Sequence, residues 1–268
     1  MSEEKTENAH GVDDIEAGEV VEEELVEGTR VRRKGIYLLP NALTTASLFS
    51  GFYAIVSAAN GIFDNAAIAI FVSMILDGLD GRVARMTNTQ SKFGEEYDSL
   101  ADMVAFGVAP GLVAFFWSLN EMDKIGWAVT FIFVAGAALR LARFNTQIGS
   151  VDKKYFVGLA SPAAAACVAG LVWSFHDHQP SGWLSFLTIL IVAGTGVLMV
   201  SNILYKSFKD LDMRGRVPFA AILLVVLIFV VIALDPATVL FSVFLLYALS
   251  GPVRALLRKM RRSSRVEE

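Results

Sequence analysis

Asp77, Asp80, Asp98 and Asp102 fall within 26 residues and lie in or beside strongly apolar sequence. An aspartate at the centre of a membrane helix costs roughly 2.5–3.5 kcal/mol on insertion scales, so four together need compensation. Asp77 and Asp80 are three apart and share one helix face; Asp98 and Asp102 are four apart and share a face of the next helix. The short connection between the two helices makes them antiparallel neighbours, and all four carboxylates can converge. Carboxylates facing one another repel unless cations sit between them. Hard divalent ions with oxygen ligands, Mg²⁺ or Mn²⁺, meet that need.

The residues between the aspartates add to this. Gly78, Gly81 and Ala84 leave the helix face bare beside the carboxylates. Glycine costs about 1 kcal/mol in a helix interior, so its presence asks for a reason. Close approach of a ligand is one reason and close approach of another helix is the other. Arg85 and Lys92 can offer positive charge to phosphate, and Gly94 opens the connection just before Asp98.

The elements that must position these residues are membrane helices. The 268 residues are 54% hydrophobic and 19% charged, and the hydrophobic residues fall in long blocks with charge clusters between them. A spanning helix needs roughly 20 apolar residues. The pattern predicts an all-α, polytopic membrane bundle of about eight transmembrane helices, at 38–59, 65–83, 99–119, 125–144, 157–176, 183–204, 217–234 and 236–253. Only Asp235-Pro236 separates the last two, a turn at which proline halts the helix.

Basic residues support the count. They gather before the first span (Arg30, Arg32, Arg33, Lys34) and after the second, fourth and sixth spans. They gather again in the tail from Arg254. With eight spans these segments share one side and the other side holds Lys124 alone, so the positive-inside rule places both termini in the cytoplasm. The active site is then expected at the cytoplasmic boundary of the cell (inner) membrane. Eleven of the 27 acidic residues precede Thr29. Residues 1–29 are therefore expected as a disordered acidic tail, 30–253 as the membrane domain and 254–268 as a basic cytoplasmic tail.

Other residues are expected to be structural. The lone cysteine, Cys167, lies in an apolar block and permits neither an intrachain disulfide nor a cysteine metal site. His176 and His178 fall on the side away from the aspartates. Trp117, Trp127, Trp173 and Trp183 fall near outer span ends, as an interfacial belt would. Small-residue runs such as Ala135-Gly136-Ala137-Ala138 fit close helix packing.

Asp77, Asp80, Gly81, Ala84, Arg85, Gly94, Asp98 and Asp102 match all eight fixed positions of D-x-x-D-G-x-x-A-R-x8-G-x3-D-x3-D. This resembles the signature of the CDP-alcohol phosphatidyltransferase family. Further likeness, to the branch of that family that uses serine, covers roughly residues 35–210. It lies in Pro40-Asn41-Ala42-Leu43-Thr44, Phe106-Gly107-Val108-Ala109-Pro110, the Arg140–Asn145 segment, and Phe156–Pro162. A weaker stretch runs from Met199 to Lys209. Ala160 departs from the proline more often found there, with no chemical consequence evident.

The resemblance implies transfer of a phosphatidyl group from CDP-diacylglycerol to the hydroxyl of L-serine, giving phosphatidylserine and CMP, with two divalent cations, Mg²⁺ or Mn²⁺. Carried over by position, Asp77, Asp80 and Asp98 would be metal ligands. Asp102 would be both close to the metals and the general base. Asn41, Thr44, Gly81, Ala84, Arg85 and Gly94 would line the CDP-lipid site. A homodimer in membrane lipid is implied, with no nucleic-acid partner.

The acceptor site must come from elsewhere. Arg140 and Arg143 are three apart and share a face at the end of the fourth span, and an arginine fork suits a carboxylate. Asn145 is a nearby polar partner. Together these three are the expected acceptor-binding residues. Two other readings compete: a sister transferase with glycerol 3-phosphate or inositol as acceptor, and an ion-coupled transporter. The second finds no repeat of the aspartate pattern after residue 110.

Overall fold

A computed structural model describes residues 21–26, 29–34, 38–87, 89, 91–146, 155–178, 180–206 and 219–264. Lipid offers a backbone no hydrogen-bond partners, so apolar runs of this length satisfy themselves as helices. In chain order these are α1 (Leu38–Ala59), α2 (Phe63–Thr87) and α3 (Lys92–Asp102). The chain then continues through a π-helical turn (Met103–Val108), α4 (Ala109–Ala114), a second π-helical turn (Phe115–Leu119) and a 3₁₀ turn (Asn120–Met122). After it come α5 (Asp123–Thr146), α6 (Ser161–Phe175), α7 (Trp183–Val200), α8 (Phe219–Leu234) and α9 (Pro236–Ser264). Among the described residues, four helical stretches are long and apolar enough to cross a membrane: Leu39–Ala59, Lys92–Thr146, Trp183–Val200 and Pro236–Arg258.

The Lys92–Thr146 stretch is folded into two legs. The chain reverses at Asp123, where φ is +47°. Gly107 then meets Ala137, and Gly111 meets Val134 and Thr130, as antiparallel legs require. Large apolar side chains such as Ile75, Phe131, Leu139 and Phe186 stay exposed. Water would penalise that surface, whereas a bilayer is its solvent.

The interior is held by small residues and short hydrogen bonds. Ser47 and Ser73 pair their hydroxyls at 2.7 Å, and Ser50 donates to the Ala69 carbonyl at 2.7 Å. These contacts fix α1 antiparallel to α2, so the start of α1 lies beside the end of α2. Gly136 of α5 meets Gly196 of α7 so closely that a Cβ at 136 would fall 2.5 Å from the Gly196 carbonyl oxygen.

Several boundaries differ from the sequence expectation. The segment expected as a span from 157 begins its helix at Ser161, because Val157 belongs to a short strand. That strand, β3 (Tyr155–Val157), pairs antiparallel with β4 (Leu204–Lys206). Gly158 turns the chain between strand and helix at φ +79°, tight against the Met199 carbonyl, a conformation that favours glycine. The helix expected to reach 204 stops at Val200 for the same reason. Residues 217 and 218 lie outside the described residues.

The terminal segments differ too. Residues 1–20 of the expected disordered tail lie outside the described residues. Val21–Val26 and Thr29–Lys34 form an antiparallel hairpin, so order begins before the boundary at 29. Its register sets Glu22 opposite Arg33 and Glu23 opposite Arg32. At the other end α9 runs unbroken through Pro252 to Ser264, so the expected basic tail from 254 begins as helix. Trp117, expected at an interface, is instead buried in the core, whereas Trp127 and Trp183 are exposed.

Candidate active site

The signature occupies the end of α2 and the start of α3. Ser91 caps α3, its hydroxyl accepting from the Gly94 backbone N–H at 3.0 Å. The cap stops α3 from extending back over the α2–α3 connection and leaves the first turn open beside α1. Gly94 keeps that turn close to α1: a Cβ there would lie 3.1 Å from the Ser91 hydroxyl and 3.4 Å from the Asn41 side-chain oxygen.

Three of the four carboxylates expected to converge lie together. Oxygens of Asp77, Asp98 and Asp102 lie within 4.8 Å of one another, and the Asp77 and Asp102 carboxyls are in hydrogen-bond contact. Two carboxyls at that range need a proton or a cation between them. One oxygen of Asp98, Oδ1, is buried with no hydrogen-bond partner. A buried, unpartnered carboxylate oxygen beside two further carboxyls is the donor set a hard divalent cation takes. Asp80 stands slightly apart and accepts from the Thr44 hydroxyl at 2.8 Å.

Beside this cluster opens a cleft of about 210 Å³. Its lining includes all six residues expected at the CDP-lipid site: Asn41, Thr44, Gly81, Ala84, Arg85 and Gly94. Asp80 and Asp98 close one end. The Asn41 side-chain N–H₂ is buried there without a partner. Gly81 faces the Arg85 guanidinium at 3.7 Å, measured from where its Cβ would be, so bare backbone and cation share one wall. Gly78, by contrast, has open space beside it; neither a helix nor a side chain explains that glycine.

Pro40, Thr89, Ser91 and Glu95 also line the cleft and were not singled out for it from sequence. Ser91 had a legible signal, a serine directly ahead of a helix. The Thr45–Tyr97 hydroxyl contact at 2.9 Å, which ties α1 to α3, carried no sequence signal.

The three expected acceptor residues lie elsewhere than the cleft wall. Asn145 donates to the Ser99 hydroxyl at 3.0 Å. That contact and the Gly107–Ala137 approach bracket Asp102 on one leg and Arg140 and Arg143 on the other, so the arginines stand at the level of the carboxylates. Arg140 is buried and donates to the Val157 carbonyl at 3.0 Å. Arg143 donates to the carbonyls of Val200 at 3.1 Å and Ser201 at 3.4 Å. The strand pair β3–β4 and the end of α7 thus hold both guanidinium groups.

Known proteins resemble this chain in sequence. A protein of Helicobacter pylori named CDP-diacylglycerol–serine O-phosphatidyltransferase is 41% identical over 217 residues, 80% of this chain and 90% of the relative. Proteins of the same name in Mycobacterium leprae and Methanocaldococcus jannaschii are 32% identical over 222 residues and 35% identical over 175. The first match covers 81% of this chain and 74% of the relative; the second covers 65% and 77%. The family model for CDP-alcohol phosphatidyltransferases matches residues 37–192, which takes in α1 through most of α7 and every aspartate of the cluster. By that match and by its relatives, this membrane-embedded helical chain belongs to the CDP-alcohol phosphatidyltransferase family.

Proposed function

We propose that the protein transfers the phosphatidyl group of CDP-diacylglycerol to the hydroxyl of L-serine, releasing CMP and forming phosphatidylserine. The observation that carries this reading is the cleft of Asn41, Thr44, Gly81, Ala84, Arg85 and Gly94 opening directly onto the carboxylate cluster. Relatives that bear the serine transferase name over most of this chain's length support the acceptor.

Each residue then has a task. Asp77, Asp80, Asp98 and Asp102 would hold two divalent cations, Mg²⁺ or Mn²⁺, which when bound would supply positive charge to offset the charge growing on the leaving group. Arg85 presents its guanidinium to the pyrophosphate from the same wall as Gly81. The unpartnered Asn41 amide offers N–H donors to the nucleotide half. An aliphatic hydroxyl is a weak nucleophile at neutral pH, so Asp102 takes its proton as the oxygen attacks. The new bond joins the serine oxygen to the phosphorus that carries diacylglycerol, and the bond from that phosphorus to CMP breaks with the electron pair leaving on CMP. Arg140 or Arg143 holds the serine carboxylate, with Asn145 beside them.

The proposal extends to placement. Eight spans put the cluster at the cytoplasmic boundary of the cell membrane with both termini inside, residues 30–253 forming the membrane domain and 254–268 its basic extension. Pairing as a homodimer rests on the family resemblance alone, and mass measurement in detergent would test it.

CMP release by purified protein with CDP-diacylglycerol and Mn²⁺ or Mg²⁺ tests the function. L-serine, glycerol 3-phosphate and inositol are supplied in turn. Release that requires both serine and metal is the expected result. Release with a different acceptor would overturn the serine assignment and keep the transferase.

A further inference from the structure

Tyr205 lies beyond the segment matched by the family model, in β4, and it is fully buried. Its hydroxyl donates to the Ala248 carbonyl on α9 at 2.9 Å. Its ring occupies the space that a side chain at Gly251 would need: a Cβ there would fall 2.4 Å from the ring carbon bearing the hydroxyl. Tyr247 packs against the same ring, with centroids 5.5 Å apart. The last helix is therefore notched at Gly251 to receive a side chain from the far side of the fold.

What Tyr205 holds gives the notch a use. Its strand pairs with β3, with Val157 opposite Leu204, and the Gly158 N–H donates to the Ile203 carbonyl at 2.8 Å. The Val157 carbonyl accepts from the Arg140 guanidinium. A continuous set of contacts thus leads from α9 through Tyr205 and the strand pair to Arg140. The single described carbonyl uses part of the guanidinium fork, and the remaining N–H groups are those a carboxylate can take. A buried arginine is kept in one orientation by the groups packed around it.

We infer that the Tyr205–Gly251 joint makes α9 a positioning element for Arg140, and through it for the carboxylate of the acceptor. This rests on the serine reading above. Neither Tyr205 nor Gly251 touches the reacting atoms; both act through the β3–β4 pair. The joint therefore governs acceptor binding and leaves the nucleotide cleft, whose lining includes none of Arg140, Tyr205 and Gly251, undisturbed.

The test is a comparison of Michaelis constants for both substrates, read from CMP release in detergent, across wild type, Tyr205→Phe and Gly251→Ala. Tyr205→Phe keeps the ring and the fold and removes only the bond to Ala248. Gly251→Ala forces the ring out of the notch. The expected result is a serine KM raised several-fold in Tyr205→Phe and about tenfold or more in Gly251→Ala, with the CDP-diacylglycerol KM within twofold of wild type. If both constants rise together, or if Tyr205→Phe leaves the serine KM unchanged, the joint is structural only and the inference is overturned. If wild-type protein releases no CMP with serine, the serine reading itself fails, and that is seen before any variant is compared.

Discussion

The Thr44 hydroxyl donates to the Asp80 carboxylate across 2.8 Å, linking the first turns of α1 to the end of α2. The same hydroxyl lies 3.1 Å from the Pro40 carbonyl. Asp80 is thereby tied to α1 while it shares the cleft lining with Asp98. An outer partner that orients a ligating carboxylate commonly accounts for 10–100-fold in metal affinity. Thr44→Val keeps the shape and removes the donor. It should raise the Mn²⁺ concentration for half-maximal CMP release by about tenfold, while Thr44→Ser stays near wild type. A Thr44→Val protein with an unchanged metal requirement would separate Asp80 from metal binding.

Asp102 comes from α3 and touches Asp77 of α2, so one residue borders both the cluster and the expected acceptor side. Asp102→Asn preserves volume and removes the proton acceptor. General-base loss costs typically 10²–10⁴-fold, and CMP release should fall by at least about 10²-fold while CDP-diacylglycerol still binds in titration calorimetry. Chelation with EDTA should stop release in wild type and restore on adding Mn²⁺. Substantial turnover by Asp102→Asn would move the base to another residue.

Much of the site was legible before the structure because the signature has a helical period. Spacings of three and four placed the carboxylates on faces that could meet, and Gly94 marked where an added side chain would crowd Ser91 and Asn41. Six of the residues that line the cleft were named from resemblance and came together in space. The boundaries were harder. Val157 and Leu204 sit in apolar runs that read as helix, and only pairing across nearly fifty residues makes them strand. Long-range pairing has no local period. The Tyr205–Gly251 joint has the same origin: a glycine in a helix and a tyrosine in a short strand acquire meaning only from each other.

Gly94 tests the cleft wall directly. An added methyl would lie 3.1 Å from the Ser91 hydroxyl and 3.4 Å from the Asn41 oxygen, tighter than ordinary packing. It would displace Asn41 or loosen the cap of α3. Gly94→Ala should raise the CDP-diacylglycerol KM about fivefold, equivalent to about 1 kcal/mol, and leave the serine KM near wild type. A variant with an intact lipid KM would show that the first turn of α3 is not part of the nucleotide wall.

The span count is testable without activity. Cys167 is buried, so the wild-type chain is already a blank for a membrane-impermeant maleimide. Glu95 is exposed beside the cleft, Arg258 is exposed near the end of α9, and Asn60 and Ser181 are exposed at the α1–α2 and α6–α7 connections. Eight spans place Glu95 and Arg258 on one side and Asn60 and Ser181 on the other. In sealed right-side-out vesicles, Asn60→Cys and Ser181→Cys should label, while Glu95→Cys and Arg258→Cys label only after the membrane is opened. Four spans counted from the long apolar stretches alone would treat Lys92–Thr146 as one crossing. The reversal at Asp123 makes it two, and Ser181 then returns to the side of Asn60. Labelling of Ser181→Cys together with Glu95→Cys would overturn the eight-span topology and, with it, the cytoplasmic placement of the carboxylates.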